Sequence, residues 1–161
     1  MSDVSRAETL RMLGGVPLFS GMTKRQLTAV AKVVDHESFE PGAVLLKEMR
    51  LGQRLIIIRS GTAAVTRQGI VAREGPTGGI QEGRSRRLAT VGPGDIVGEL
   101  SLIDGKPTSA SVVTETPLDA LVLYRTKFDQ LLDSTPQLYP RLLAGMAERI
   151  RAMDHRADIV P

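Results

Sequence analysis

The 161-residue sequence predicts a mainly β fold, a roll or barrel of short strands with helices before and after it. Three observations predict this. Between residues 43 and 124 short apolar runs recur, and turn residues, mostly glycine or proline, bound them. Ahead of them, Thr23-Lys24-Arg25-Gln26 has the spacing of a capping box. After them, Leu138, Leu142, Met146, Ile150 and Met153 recur at helical intervals.

Each element follows in order. Ala7 to Leu13 reads as a short helix with Leu10 and Leu13 on one face, ended by Gly14-Gly15. Val16-Pro17-Leu18-Phe19 is a compact apolar turn. Beyond the capping box, Leu27, Val30, Ala31 and Val34 keep a helical period. From Ser38 the period changes, with a turn at Phe39-Glu40-Pro41-Gly42. Strands are predicted at Ala43–Lys47, at the β-branched run Leu55-Ile56-Ile57-Ile58, and more weakly at Thr62–Thr66. Gln68 to Arg87 carries six glycines and prolines together with Arg73, Arg84, Arg86 and Arg87, and reads as a long mobile loop. Leu88–Val91, Ser111–Thr114 and Leu118–Tyr124 are the returning strands. Thr126 is placed to cap a helix through Leu132. Pro136 is placed at the first position of a last helix, which to Asp154 would span ~28 Å.

Composition narrows the function. Aromatic residues are only 3% of the chain, which argues against a stacking platform for single-stranded nucleic acid. The net charge of +3 is a modest basic excess. With no cysteine there is neither a disulfide framework nor a thiolate metal site. No apolar run approaches the ~20 residues of a membrane span, and the N-terminus has no apolar signal region. A cytoplasmic protein is expected. His36 and His155 are far apart and have no metal-ligand spacing, so a metal-dependent roll enzyme is not expected. No nucleophile-base arrangement and no Gly-x-x-x-x-Gly-Lys phosphate loop stands in the sequence, so no enzyme is predicted.

The stretch that carries chemistry is Gly98-Glu99-Leu100-Ser101-Leu102-Ile103, continued by Asp104-Gly105-Lys106-Pro107-Thr108-Ser109-Ala110. Glycine lets backbone approach a ligand closely. The Glu99 carboxylate can accept from ligand hydroxyls. The first amides of a short helix, at Leu100 and Ser101, are unpaired donors that suit an anion. This Gly-Glu-Leu-Ser-Leu, followed by Pro-x-Ser-Ala, resembles the phosphate-binding cassette of cyclic nucleotide-binding domains, the sensor modules of the catabolite activator family and of kinase regulatory subunits. The Pro-Leu-Phe entry before a capped helix, the strand-Ser60-Gly61-strand hairpin and Gly92-Pro93-Gly94-Asp95 resemble the same family.

The resemblance implies a cyclic nucleotide-binding β-roll, double-stranded and jelly-roll-like, over residues 16–154, after an N-terminal helical extension at 1–15 and before a tail at 155–161. The long loop would lie at about 68–87 and the C-terminal helix pair at about 126–154. It implies cyclic AMP or cyclic GMP as ligand. Glu99 would hold the ribose 2′-hydroxyl, while Ser109 and nearby amides hold the phosphate, with Ala110 making room. In the family an arginine after the proline pairs with the phosphate; here that position is Thr108. Removing one member of a buried charge pair typically costs ~2–5 kcal/mol, roughly 30-fold to several-thousand-fold in affinity. Lys106, Arg84, Arg86 and Arg87 are the candidates to supply the missing charge. Weakened or lost nucleotide affinity is therefore expected, the alternative being an interaction or dimerisation module that binds no nucleotide. The last helix is a candidate homodimer contact. A second alternative is the sensor part of a catabolite activator-type regulator. Residues 156–161 leave no room for a recognition helix, so sequence-specific DNA binding is not expected of this chain.

Overall fold

The computed structural model describes residues 4–72 and 80–157. The expected loop residues Arg73, Gly75, Pro76, Gly78 and Gly79, and the tail from Asp158, lie outside the described residues. The chain divides into two compact units, residues 37–120 and residues 1–36 with 121–161.

In the helical unit, α1 (Arg6–Gly14) starts where the Ser5 hydroxyl accepts from the Glu8 amide. A 3-10 turn follows at Pro17–Phe19. Helix α2 (Lys24–Ala31) carries the expected capping box. The Gln26 amide donates to the Thr23 hydroxyl, and the Thr23 amide donates to the Gln26 side chain. Helix α4 (Arg125–Ser134) is capped at Tyr124, two residues before the Thr126 cap that its sequence suggests. Helix α5 spans Leu138–Ala157, because Pro136 and Thr135 are spent on the turn that leads into it. The core of this unit includes Leu13, Leu18, Phe19, Val30, Phe128, Leu138 and Leu142. The rings of Phe19 and Phe128 pack 5.9 Å apart, tilted. Gly145 meets the 3-10 turn with no room for a side chain, since a Cβ there would strike the Leu18 carbonyl.

The stripe on α5 is not one face. Leu138 and Leu142 are buried, while Leu143, Ile150 and Met153 are exposed. Steps of four residues advance about 40° around a helix of 3.6 residues per turn. A row at that spacing therefore winds from the core to the surface.

The β unit is built on β1 (Asp35–Phe39), β2 (Val44–Leu46), β3 (Arg54–Ser60), β4 (Ala63–Ala72), β5 (Ile80–Val91), β6 (Ile96–Val97), β7 (Ser111–Thr114) and β8 (Leu118–Tyr124); β1 and β8 run on into residues of the helical unit. They form two four-stranded sheets, in the orders β1-β8-β3-β6 and β2-β7-β4-β5. Leu45, Leu55, Ile56, Ile57, Ile58, Leu102 and Leu118 are its largest fully buried side chains. The fold is mainly β with flanking helices, as expected.

Residues 68–72 and 80–87 correct the expectation of a loop. β4 and β5 form one long antiparallel ladder, from Ala63 opposite Val91 to Ala72 opposite Ile80. Its register shifts at Gln68/Ile70, where Gly69 lies so close to the Arg84 carbonyl that a Cβ would stand 2.8 Å from it. A bulge glycine of this kind reads as a loop signal in the sequence but serves a bent strand.

Candidate functional site

The cassette begins at Gly98, in a left-handed conformation with φ 83°. A side chain there would also run into the Arg54 carbonyl oxygen. Glycine is needed twice over, for the dihedral and for the close approach. Glu99 opens α3 (Glu99–Asp104) and is half-buried; Leu100 beside it is exposed. Ser101 and Leu102 are buried, with Ser101 pressed on Gly52, where any Cβ would overlap its own. Gly105, at φ 63°, closes the helix by donating to the Ser101 carbonyl at 2.9 Å.

Residues 106–110 run along the turn Lys47-Glu48-Met49-Arg50. The Thr108 amide donates to the Arg50 carbonyl at 3.0 Å, and the Met49 amide donates to the Thr108 carbonyl at 3.0 Å. Leu51 and Pro107 form a bridge next to this pair. The Thr108 hydroxyl donates to the Lys47 carbonyl at 2.7 Å. A hydroxyl has one proton. With it committed to Lys47, the Thr108 hydroxyl has only acceptor lone pairs left to offer.

The candidate cations separate into three kinds. Arg87 is taken: its guanidinium donates to both Glu115 carboxylate oxygens at 2.7 and 2.8 Å, and to the Thr90 hydroxyl at 3.0 Å. This hydrogen bonding is the main reason that the Glu115 carboxyl lies below its ordinary pKa and Arg87 above. Arg84 and Arg86 are exposed on β5. Arg86 stands directly across from Arg67 of β4, whose Nε donates to the Ser109 carbonyl at 3.0 Å. Lys106 is exposed beside Asp104, whose carboxylate accepts from the Lys106 amide at 2.9 Å.

Sequence reasoning missed the basic residues of the facing turn and strand. A cavity of about 200 Å³ is lined by Lys47, Arg50, Gly52, Gln53, Arg54 and Thr108, among others. Arg54 is committed: it donates to the Val44 and Leu45 carbonyls at 2.9 to 3.3 Å and lies 5.7 Å from the Phe39 ring centre. Only the long-range pairing of β2 with β7, continued by the bonds between the turn and Thr108, brings Lys47 and Arg50 to Thr108. No local signal in the sequence does so.

A mainly β domain, with a glycine-gated carboxylate and a Pro-x-Ser-Ala segment folded against a strand turn, defines a small-ligand sensor class. The family model for the cyclic nucleotide-binding domain matches residues 36–135, and the chain belongs to that family. It is 28% identical over 146 residues to the cyclic AMP receptor protein of Thermus thermophilus, covering 91% of this chain and 62% of that one. The chain thus spans about three fifths of the length of that relative. Among solved structures it is similar to the N-terminal domain of a transcriptional regulator from Streptomyces coelicolor (27% identity, TM-score 0.72, 89% of this chain and 95% of that). It is also similar to a regulatory subunit of a cAMP-independent protein kinase A from Trypanosoma brucei (25% identity, TM-score 0.59, 84% and 46%). That subunit was solved as a triple mutant bound to cAMP in its A site, and one of its three changes is threonine to arginine. The family is a regulatory binding domain. Among the described residues no helix is long and apolar enough to cross a membrane.

Proposed function

We propose that this chain is a cyclic nucleotide sensor module, not an enzyme, that takes cyclic AMP or cyclic GMP at the cassette with weakened affinity. Gly98, Glu99, the Leu100 and Ser101 amides, Ser109 and Ala110 are its ligand-binding set. Thr108 is its weak point. The observation that carries the reading is the combination of the left-handed Gly98 before Glu99 with a Thr108 hydroxyl whose proton is already used. The first keeps the ribose-side geometry; the second removes charge and donor from the phosphate side. The cAMP-bound relative, with a threonine-to-arginine change among its substitutions, supports the same logic. The module would act in the cytoplasm, and its ligand would shift a conformation only through differential affinity for two states.

Calorimetric titration with cyclic AMP and cyclic GMP tests this. Thr108→Arg is expected to bind at least 10-fold more tightly than the unsubstituted protein, a gain of about 1.4 kcal/mol or more. Equal affinities would refute the account of Thr108. Absence of binding in both would refute the sensor reading.

A second reading, an interaction or dimerisation module, is favoured by α5. Tyr139, Leu143, Ile150 and Met153 are all large and exposed, and with Met146 they recur at steps of four and three. That is the spacing of a coiled-coil seam. In a whole protein of the catabolite activator type, the same helix would couple two sensors. Sedimentation of the chain and of Leu143→Glu checks it. A dimer broken by the charge supports the seam, and a monomer in both forms removes it.

A further inference from the structure

We propose that Arg50, on the turn facing the cassette, supplies the positive charge that position 108 lacks, so that the anion site of this chain has its cation on the facing turn. This rests on the cyclic nucleotide reading above and names the residue that meets the phosphoryl group.

Three observations carry it. First, Arg50 and Thr108 are hydrogen-bonded neighbours through the backbone and line one cavity of about 200 Å³. Second, Arg50 is uncommitted. It is exposed, and among the described residues its side chain makes no hydrogen bond or ion pair. Arg54 in the same cavity is spent on the Val44 and Leu45 carbonyls, and Arg87 on Glu115. The acid of the turn, Glu48, is directed elsewhere: its carboxylate accepts from the Gln68 amide at 2.8 Å. Third, the turn is held in a costly shape. Met49 has φ 66°, left-handed for a residue with a side chain, and such strain is stored where the surroundings over-determine it. The surroundings here are the Met49 amide on the Thr108 carbonyl, the Thr108 amide on the Arg50 carbonyl, and the Thr108 hydroxyl on the Lys47 carbonyl. Thr108 therefore has a role of its own. It ties the turn down and fixes the root of Arg50 beside the cassette. A guanidinium there offers the planar fork of donors that suits a phosphoryl oxygen pair. Lys47, exposed on the same turn, adds a point charge.

The test is titration of the full chain with cyclic AMP, with adenosine as the probe that lacks the phosphate, in the unsubstituted protein, Arg50→Gln, Arg50→Lys, Lys106→Gln and Thr108→Arg. Thermal unfolding of each variant confirms that it is folded. The expected result is a loss of about 10-fold or more in cyclic AMP affinity for Arg50→Gln, about 1.4 kcal/mol or more. Arg50→Lys should recover part of it, and adenosine binding should not change. If Arg50→Gln binds cyclic AMP as the unsubstituted protein does, or if the loss falls on Lys106→Gln instead, the assignment is overturned. It is overturned too if only Thr108→Arg binds, although the cassette reading then survives. If no form binds cyclic AMP, the cassette reading has failed and the role of Arg50 falls with it.

Discussion

Two basic regions flank the cassette, and they differ in what their arginines have to do. The β4–β5 arm carries Arg67, Arg84, Arg86 and Arg87 on exposed strands. There Arg87 is locked to Glu115, and Arg67 and Arg86 face each other as like charges across the ladder. The turn at residues 47–54 carries fewer cations, yet its backbone is bonded to Thr108 at three points. Abundance of charge in a sequence is therefore a poor guide to where charge can be used. What counts is a cation with no partner of its own, rooted on backbone that cannot move away.

The sharpest way to break the comparison is to loosen the root. Gly98 and Gly94 have nearly the same left-handed φ, 83° and 87°. Around Gly94 a Cβ would meet nothing within 4 Å, whereas at Gly98 it would strike the Arg54 carbonyl. Both substitutions to alanine incur the left-handed cost of ~1–2 kcal/mol. Gly98→Ala adds a backbone clash, so its total loss is expected at roughly 3 kcal/mol or more. Urea unfolding of the two variants measures the difference. Equal losses would show that the strand carrying Arg54 gives way freely, and that the turn is not the rigid partner described above.

Much of this was legible in the sequence. The Leu55–Ile58 run, Ser111–Thr114 and Leu118–Tyr124 were readable because alternate or continuous burial leaves an apolar pattern. The capping box was readable because it is a local bond between residues three apart. β1 was not: Asp-His-Glu-Ser-Phe offers almost no apolar residue, and its strand character comes from its neighbours. The arm was not readable either. Residues 84–90 of β5 are exposed throughout, so no hydrophobic period marks the strand, and its glycines imitate a loop. The left-handed turn at Gly98, with Glu99 opening the short helix after it, was legible. The residue opposite Thr108 was not, because the bond that brings the turn to it joins positions 61 apart.

The smallest expected effect sharpens the other side of the comparison. If Arg87 is held by Glu115 in solution, the carboxyl titrates below its ordinary value, chiefly through the hydrogen bonds from the guanidinium. A depressed folded-state pKa contributes stability that is present above the unfolded value and is lost as the pH falls through the folded one. Arg87, shifted upward, stays charged across that window. Both side chains are well exposed, so salt screens the pair and its share of the stability is slight. An NMR titration of Glu115 is the direct reading. Its midpoint should rise to the ordinary carboxylate range in Arg87→Gln. A midpoint that does not move would release Arg87 from Glu115 and return it to the cations able to serve the cassette, which would weaken the case for Arg50.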